Sequence, residues 1–261
     1  MNTLIYTVNF GQYDSIPIEN FYSNKIRYIC FYNGEIKKRG NWEYVKINSK
    51  ETDYKRLSRN YKINFFKYLP EHKNSIYIDC NRVITEKLIN YSLKLFKNYS
   101  FGVLKHSVRK TLVDELIDWY LISICSEEEI IKIGEYLKKI KYDFEKHYCP
   151  HCCLLLRENN NKNINFSKLW WKNFLKFNKR DQLPFTLSSI ALKYYPFLIE
   201  KEKLIITRKH LKTYKKKIRS LKKLEYLIHK LNDLFGKKIE FNSKNLEWRD
   251  FTRKQINIHS Y

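Results

Sequence analysis

Short runs of apolar and β-branched residues alternate along most of the chain with stretches whose apolar positions recur at helical spacing. The short runs predict strands, and most of them end at polar or Gly-containing turns. These runs span residues 4–9, 27–32, 44–47, 75–79, 101–106 and 153–157. Because strands that alternate with helices favour parallel pairing, we expect an α/β protein with a mostly parallel sheet flanked by helices.

The helical spacing predicts helices between these strands. They span residues 53–69, the stretch after a Thr85 N-cap, residues 108–125, 128–141 and 166–177, and a last one from about 180 to 192. Beyond Tyr195 the pattern changes, because residues 207–235 combine lysine runs with leucines at heptad-like intervals. We therefore expect one α/β domain over residues 1–200 and a basic helical extension over 201–261 that packs on it. Contact of its basic face with a membrane surface or an acceptor is an alternative.

The composition fits one folded cytoplasmic protein. A chain of 261 residues with 43% hydrophobic residues can bury a substantial core. No apolar run approaches the eighteen or so residues of a membrane-spanning helix. The six cysteines are scattered, several of them inside apolar patterns, which favours reduced thiols over a secreted disulfide framework.

The formal net charge of +24 raises the question of a nucleic-acid partner. A second explanation is the coding bias of an AT-rich genome, such as that of a large DNA virus, because Lys, Asn, Ile and Tyr are abundant while Gly and Pro are scarce. The chain lacks nucleic-acid recognition motifs. We therefore do not expect nucleic acid to be its partner.

The most informative local feature is an acidic residue at the end of a strand, Asp79. In parallel sheets, ligands bind at the carboxyl ends of the strands, so Asp79 is expected to point into a binding crevice. With Asn81 as a second oxygen ligand it could hold Mg²⁺ or Mn²⁺ against a diphosphate. The alternative is that Asp79 only caps a turn.

Two further segments support the ligand hypothesis. The loop that follows the first strand, with Thr7 at its start and Tyr13 and Asp14 within it, is expected to cross the same sheet edge. Arg59 and Lys62, one turn apart on the predicted helix, could contact a diphosphate.

The sequence resembles a known family in several ordered blocks between about residues 4 and 192. The blocks are YTVNFGQYD at 6–14, RYICF at 27–31, Trp42, SRNYK at 58–62, IYID at 76–79, Lys105 and His106 with Arg109, Trp170 and Trp171, and RDQ at 180–182. The family is a glycosyltransferase-like one, formerly a domain of unknown function, that includes plant mucilage and pectin galacturonosyltransferase relatives.

The resemblance implies a GT-A-like fold, a nucleoside-diphosphate sugar donor, Mn²⁺ or Mg²⁺ as cofactor, and a carbohydrate or glycoconjugate acceptor. It places Asp79 at the metal and diphosphate position, and Asp181 with Gln182 in the family's RDQ block, which we expect at the catalytic centre. Asp181 could deprotonate the acceptor in an inverting reaction or bind the donor sugar in a retaining one.

The chain departs from the family pattern at two places. Asn81 stands where a full Asp-x-Asp pair would have its second acid, and a Cys/His-rich segment at 149–153 replaces the family's usual loop, although we do not expect a zinc site there. His106 and Arg109 are expected at the donor phosphates. One of the two tryptophans, Trp170 and Trp171, is expected in the core, and the other could stack on a sugar. A basic nucleic-acid-binding protein and an inactive glycan-binding module are the remaining alternatives.

Overall fold

The computed structural model describes residues 3–19, 21–144, 146–177, 179–200, 206–207 and 220–239. These residues form ten strands and eight helices. The strands are β1 Thr3–Asn9, β2 Ile18–Glu19, β3 Ile26–Tyr32, β4 Glu43–Lys46, β5 Asn74–Ile78, β6 Arg82–Ile84, β7 Phe101–Lys105, β8 Pro150–Glu158, β9 Phe197–Ile199 and β10 Ile206–Thr207. The helices are α1 Tyr54–Ile63, α2 Phe65–Tyr68, α3 Glu86–Leu95, α4 Leu112–Leu121, α5 Glu127–Lys139, α6 Asn161–Phe177, α7 Gln182–Leu192 and α8 Leu221–Phe235.

The chain divides into two compact units. The first takes residues 1–105 and 150–214, and the second takes residues 106–149 and 215–261. The domain boundary that the sequence predicts at residue 200 stays a prediction.

The main sheet of the first unit has the strand order β4-β3-β1-β5-β8-β7-β9 among the described residues. Its neighbouring strands run parallel except where β8 lies antiparallel between β5 and β7. Every residue of β1 is buried, as expected for a strand that is covered on both faces. The expected α/β class and mostly parallel sheet are thus confirmed.

A smaller sheet follows directly on the end of β5. Its described strands are ordered β10-β6-β2. A tight turn connects β5 to β6, in which the Arg82 backbone N–H donates to the Asp79 carbonyl oxygen at 3.1 Å. The sequence did not predict β2, β6, β9 or β10, because strands of two or three residues show no periodicity.

Polar side chains set the helix boundaries of the first unit. Asp53 caps α1 by accepting from the Arg56 N–H, and Thr85 caps α3 as predicted. The single helix predicted over 53–69 is wrong in one respect: Asn64, at φ −89° and ψ 43°, separates it into α1 and α2. This break places the C-terminus of α1 directly after Lys62 and Ile63.

The second unit contains α4, α5 and α8. Capping boxes at Thr111 and Ser126 begin the first two helices, so α4 starts at Leu112 rather than at the predicted residue 108. In α8 the buried leucines Leu224, Leu227 and Leu231 form one stripe, as the heptad-like spacing predicts. The helix predicted over 207–235 is wrong at its start, because residue 207 belongs to β10 and α8 begins at Leu221 after the Ser220 cap. The lysine run at 215–217 lies outside the described residues.

The cysteines and the helix lengths bear on two further expectations. All six cysteines lie in the described part of the chain, are buried and form no disulfide, which agrees with reduced thiols. Of the helices that the structure describes, none has the length and apolar character needed to cross a bilayer.

Candidate active site

The carboxyl ends of β1, β3, β4 and β5 share one edge of the main sheet, because these strands are parallel. Asp79 directly follows β5 at this edge, where its backbone N–H donates to the Cys153 carbonyl oxygen at 3.0 Å. Its side chain is 35% exposed. Asp79 therefore has the position that the sequence predicts for a ligand-binding acid.

Two cations from α1 converge on a second acid, Asp181. The Lys62 ammonium Nζ donates to Asp181 Oδ2 at 2.6 Å, and Arg59 Nε lies 3.3 Å from the same oxygen. The side chains of Lys62 and Asp181 are only 2% and 5% exposed. Arg59 and Lys62 reach the same carboxylate because residues three apart lie on one face of a helix.

The same lysine connects the two acids. Lys62 Nζ lies 3.8 Å from Asp79 Oδ1, and the Tyr77 hydroxyl donates to that oxygen at 2.7 Å. The structure thus brings together four residues that the sequence singled out, Arg59, Lys62, Asp79 and Asp181. Below, the acidic-basic cluster means these four residues together with Tyr77.

Electrostatics favour the charged forms in this cluster. Burial raises the pKa of Asp181, but Arg59 and Lys62 outweigh it and hold that pKa well below its usual range. The pKa of Asp79 is lowered in the same way, because Lys62 and Arg59 outweigh burial. Burial opposes the charge on Arg59, yet Asp181 and Asp79 raise its pKa. Both acids are therefore anionic at neutral pH.

The hydroxyl of Thr7 and the loop after β1 also lie at this sheet edge. Thr7 is buried, and its Oγ1 donates to the Ile78 carbonyl oxygen at 2.8 Å, so the hydroxyl ties β1 to β5. The Asn9 side-chain amide donates to the Asp14 carbonyl oxygen at 2.7 Å and fixes the loop. Within it Tyr13 is 36% exposed. Donor contacts by Thr7, Tyr13 and Asp14 stay predictions.

Gln182 and Trp170 lie next to Asp181 in sequence and space. The buried Trp170 indole Nε1 donates to the Asp181 carbonyl oxygen at 3.0 Å, so Trp170 is the core tryptophan of the pair. Trp171 stacks against Phe174. Gln182 is 8% exposed, and within the described ranges its Oε1 has no hydrogen-bond partner. That oxygen is buried, so its hydrogen-bonding capacity is unused among the described residues.

His106 and Arg109 belong to the second unit, where both have local partners. His106 Nδ1 accepts from the Arg109 backbone N–H at 3.0 Å. The Arg109 guanidinium hydrogen-bonds to the buried carboxylate of Glu115 and lies 3.4 Å from Asp118 Oδ2. The charge of Arg109 is therefore balanced within this unit, and the predicted phosphate contacts of both residues stay predictions.

A divalent cation would find limited protein ligands at Asp79. Asn81, the second predicted ligand, is buried two residues further on. Among the residues that the structure describes, no group of three or more His, Cys, Asp or Glu side chains could hold a metal ion. However, the contacts of the Asp79 carboxylate with Tyr77 and Lys62 are both made by Oδ1, and one or two carboxylates suffice when substrate phosphates supply further oxygens. The residues fit a cation held mainly by a bound diphosphate.

Two kinds of residue contribute to the site without having been predicted from the sequence. Tyr77 lies on β5 two residues before Asp79, which directly follows that strand, and the period-2 alternation of strands could have placed both on one face. Tyr6 and Arg157 both hydrogen-bond to the Lys62 carbonyl oxygen. For Arg157 the sequence signal was a charged residue at the end of an apolar strand run.

Comparisons with known proteins point to one family. A family model described as TOD1/MUCI70, glycosyltransferase-like domain, matches residues 18–213. No curated protein sequence matches the chain.

Three solved structures show similarity to the fold. The apo form of mouse xyloside xylosyltransferase 1 aligns with a TM-score of 0.44 and 7% identity over 77% of this chain and 85% of that one. The galactosyltransferase LgtC, solved with donor and acceptor sugar analogues, aligns with a TM-score of 0.39 and 11% identity over 72% and 70%. The 4-diphosphocytidyl-2C-methyl-D-erythritol synthase of Anaerococcus prevotii aligns with a TM-score of 0.42 and 12% identity over 87% and 94%.

Proposed function

Because the chain belongs to the TOD1/MUCI70 glycosyltransferase-like family, we propose that it transfers a hexosyl or uronosyl group from a nucleoside-diphosphate sugar to a hydroxyl of a carbohydrate or glycoconjugate. One observation carries the proposal: the partly exposed carboxylate of Asp79 lies at the carboxyl edge of the sheet beside two cations, the buried Lys62 and the partly buried Arg59.

The chemistry of the reaction matches these charges. Glycosyl transfer separates an oxocarbenium-like sugar from a departing diphosphate, so the site must stabilise developing negative charge. We assign this role to Lys62 and Arg59, which Asp181 holds together in one place. Because both cations are held in position before the donor binds, little reorganisation is needed during the reaction.

We further propose that Asp79 anchors Mn²⁺ or Mg²⁺ through its Oδ2, with Asn81 as a weaker ligand. When bound, such a cation would neutralise charge on the leaving diphosphate. The cytoplasmic location and the peripheral membrane contact of the basic helix stay predictions.

Asp181 suits a positioning or sugar-binding role better than that of a general base. Its carboxylate accepts from Lys62 and faces Arg59, and its lowered pKa makes it a weak proton acceptor. Gln182, whose buried side-chain oxygen has no partner among the described residues, is the neighbour that we propose to bind a donor-sugar hydroxyl.

The test is a screen of purified protein against nucleoside-diphosphate sugars with and without Mn²⁺, read as released nucleotide. We expect metal-dependent hydrolysis of one donor, and we expect Asp79→Asn to reduce it about 100- to 1,000-fold, as for the loss of one preorganised charge. The matched control is Asp233→Asn, an exposed carboxylate of α8 that changes the net charge equally. Full activity of the Asp79 variant would contradict the assignment. Silence across the donor panel, with retained sugar binding, would indicate an inactive module.

A further inference from the structure

Arg157 is a buried cation whose position calls for an explanation. It lies on β8 and is fully buried. Its guanidinium donates through Nη2 to the Lys62 carbonyl oxygen at 2.9 Å and through Nη1 to the Ile63 carbonyl oxygen at 3.3 Å. Nη2 also hydrogen-bonds to the Tyr6 hydroxyl. Within the described part of the chain no carboxylate pairs with Arg157, although a buried cation without an anionic partner is costly.

The C-terminus of α1 compensates this charge. The last carbonyl groups of a helix carry partial negative charge and lack partners within the helix, so a cation is favoured there. The ring of Phe65 adds a second favourable contact, with its centroid 4.2 Å from the guanidinium carbon. Arg157 is thus held by backbone and aromatic groups at the end of the helix that carries Lys62.

Tyr6 contacts the same carbonyl from a second strand. Its hydroxyl, on β1, donates to the Lys62 carbonyl oxygen at 2.9 Å. Burial, partly opposed by the charge of Arg157, raises the pKa of Tyr6 to about 12, so the hydroxyl keeps its proton at neutral pH. The Lys62 carbonyl therefore accepts two hydrogen bonds, one from each of two strands of the main sheet.

The side chain of the same residue extends into the acidic-basic cluster. Lys62 Nζ contacts Asp181 and lies 3.8 Å from Asp79. A lysine side chain has many rotamers, and its reach depends on where its backbone lies. Hydrogen bonds that fix the Lys62 backbone therefore restrict the positions that its ammonium group can reach.

We propose that Arg157 and Tyr6 are positioning residues that hold the backbone of Lys62 so that its ammonium group meets the diphosphate of the donor. This inference rests on the proposed transferase function. It assigns a role beyond packing to a buried arginine and a buried tyrosine that lie outside the acidic-basic cluster.

The test uses the full chain and inorganic pyrophosphate as the probe, with calorimetry in the presence of Mg²⁺. We expect Arg157→Gln and Tyr6→Phe each to weaken pyrophosphate binding about tenfold, the scale of one lost positioning hydrogen bond. In a Lys62→Met background neither change should weaken binding further, because both act through Lys62. Arg157→Lys should recover part of the loss, since it keeps the charge but not the fork of donors.

Two controls keep a folding defect apart from a positioning defect. Tyr6→Phe removes only one hydroxyl, so its pyrophosphate affinity can be measured even if Arg157→Gln does not fold. Tyr142→Phe is its matched control, because the buried Tyr142 hydroxyl also bonds to backbone groups, namely the Leu112 N–H and the His147 carbonyl oxygen, within the second unit. We expect Tyr142→Phe to leave pyrophosphate affinity unchanged.

A second readout does not depend on any ligand. The ammonium group of Lys62 should give a protected signal in ¹⁵N NMR of the free wild type, and that signal should broaden in Tyr6→Phe. If both variants bind pyrophosphate like the wild type, or lose affinity equally with and without Lys62, the positioning role is overturned while the transferase proposal stands. If the wild type binds no pyrophosphate, the transferase proposal fails. The NMR signal then decides alone, and an unchanged signal in Tyr6→Phe overturns the positioning role.

Discussion

Replacing Asp181 with Asn should destabilise the protein strongly, because it removes the anion that two cations share. Lys62 Nζ lies 2.6 Å from Asp181 Oδ2, and Arg59 Nε lies 3.3 Å from it. Breaking one side of a buried ion pair typically costs about 3–5 kcal/mol, because a buried charge is left without its partner. Asp79 still lies 3.8 Å from Lys62 and is partly hydrated, so we expect the lower end, about 3 kcal/mol.

The assay is urea unfolding of the wild type, Asp181→Asn, Lys62→Met and the double variant. We expect the double variant to be more stable than the sum of the single losses predicts, by about 1–3 kcal/mol, because Lys62→Met removes the cation that Asp181→Asn leaves behind. Asp233→Asn should stay within about 0.5 kcal/mol of the wild type. A loss below about 1 kcal/mol for Asp181→Asn, or strictly additive losses in the double variant, would refute the reasoning.

Three further predictions concern stability. The folded pKa of Asp181 is lowered below its unfolded value of about 3.9, so its contribution is present above that pH and is lost as the pH falls through the folded pKa. Acid titration of the free energy of unfolding should therefore be steeper below about pH 4 in the wild type than in Asp181→Asn. Gly11→Ala should cost about 1–2 kcal/mol or more in urea unfolding, because Gly11 has φ +72° and its new Cβ would lie 2.8 Å from the Tyr54 ring, whereas Gly236→Ala, at φ +59° with open space, should cost less. Ser126→Ala should lower the melting temperature through the loss of about 1 kcal/mol of capping, and an unchanged melting temperature would contradict the cap.

The sequence predicted the central strands β1, β3 and β5 well because these strands are largely buried on both faces. Such strands read as continuous apolar runs, and β1, β3 and β5 lie within a residue of their predicted bounds. The position of Asn64 in the predicted helix could not be foreseen, because Asn is tolerated in helices. The break depends on its local conformation, in which the Asn64 side-chain amide also donates to the Asn60 side chain.

Residues of the candidate site could be predicted where a charged residue type occurs at an informative place in a strand or helix. Asp79 follows from a strand end and Arg59 with Lys62 from helical spacing, whereas their meeting with Asp181 depends on a contact 119 residues apart in sequence. Arg157 was read as the end of a strand. In the structure β8 continues to Glu158, so the arginine is buried, and only the three-dimensional fold shows that α1 ends above it.

The discontinuity of the second unit has a consequence for synthesis on the ribosome. The helices α4 and α5 are made early, but α8, whose leucines they pack against, begins about 80 residues after α5 ends. At typical elongation rates this delay is about 4–16 s. During that time the apolar faces of the nascent α4 and α5 lack their partner, and exposed apolar surface of this kind is prone to aggregation.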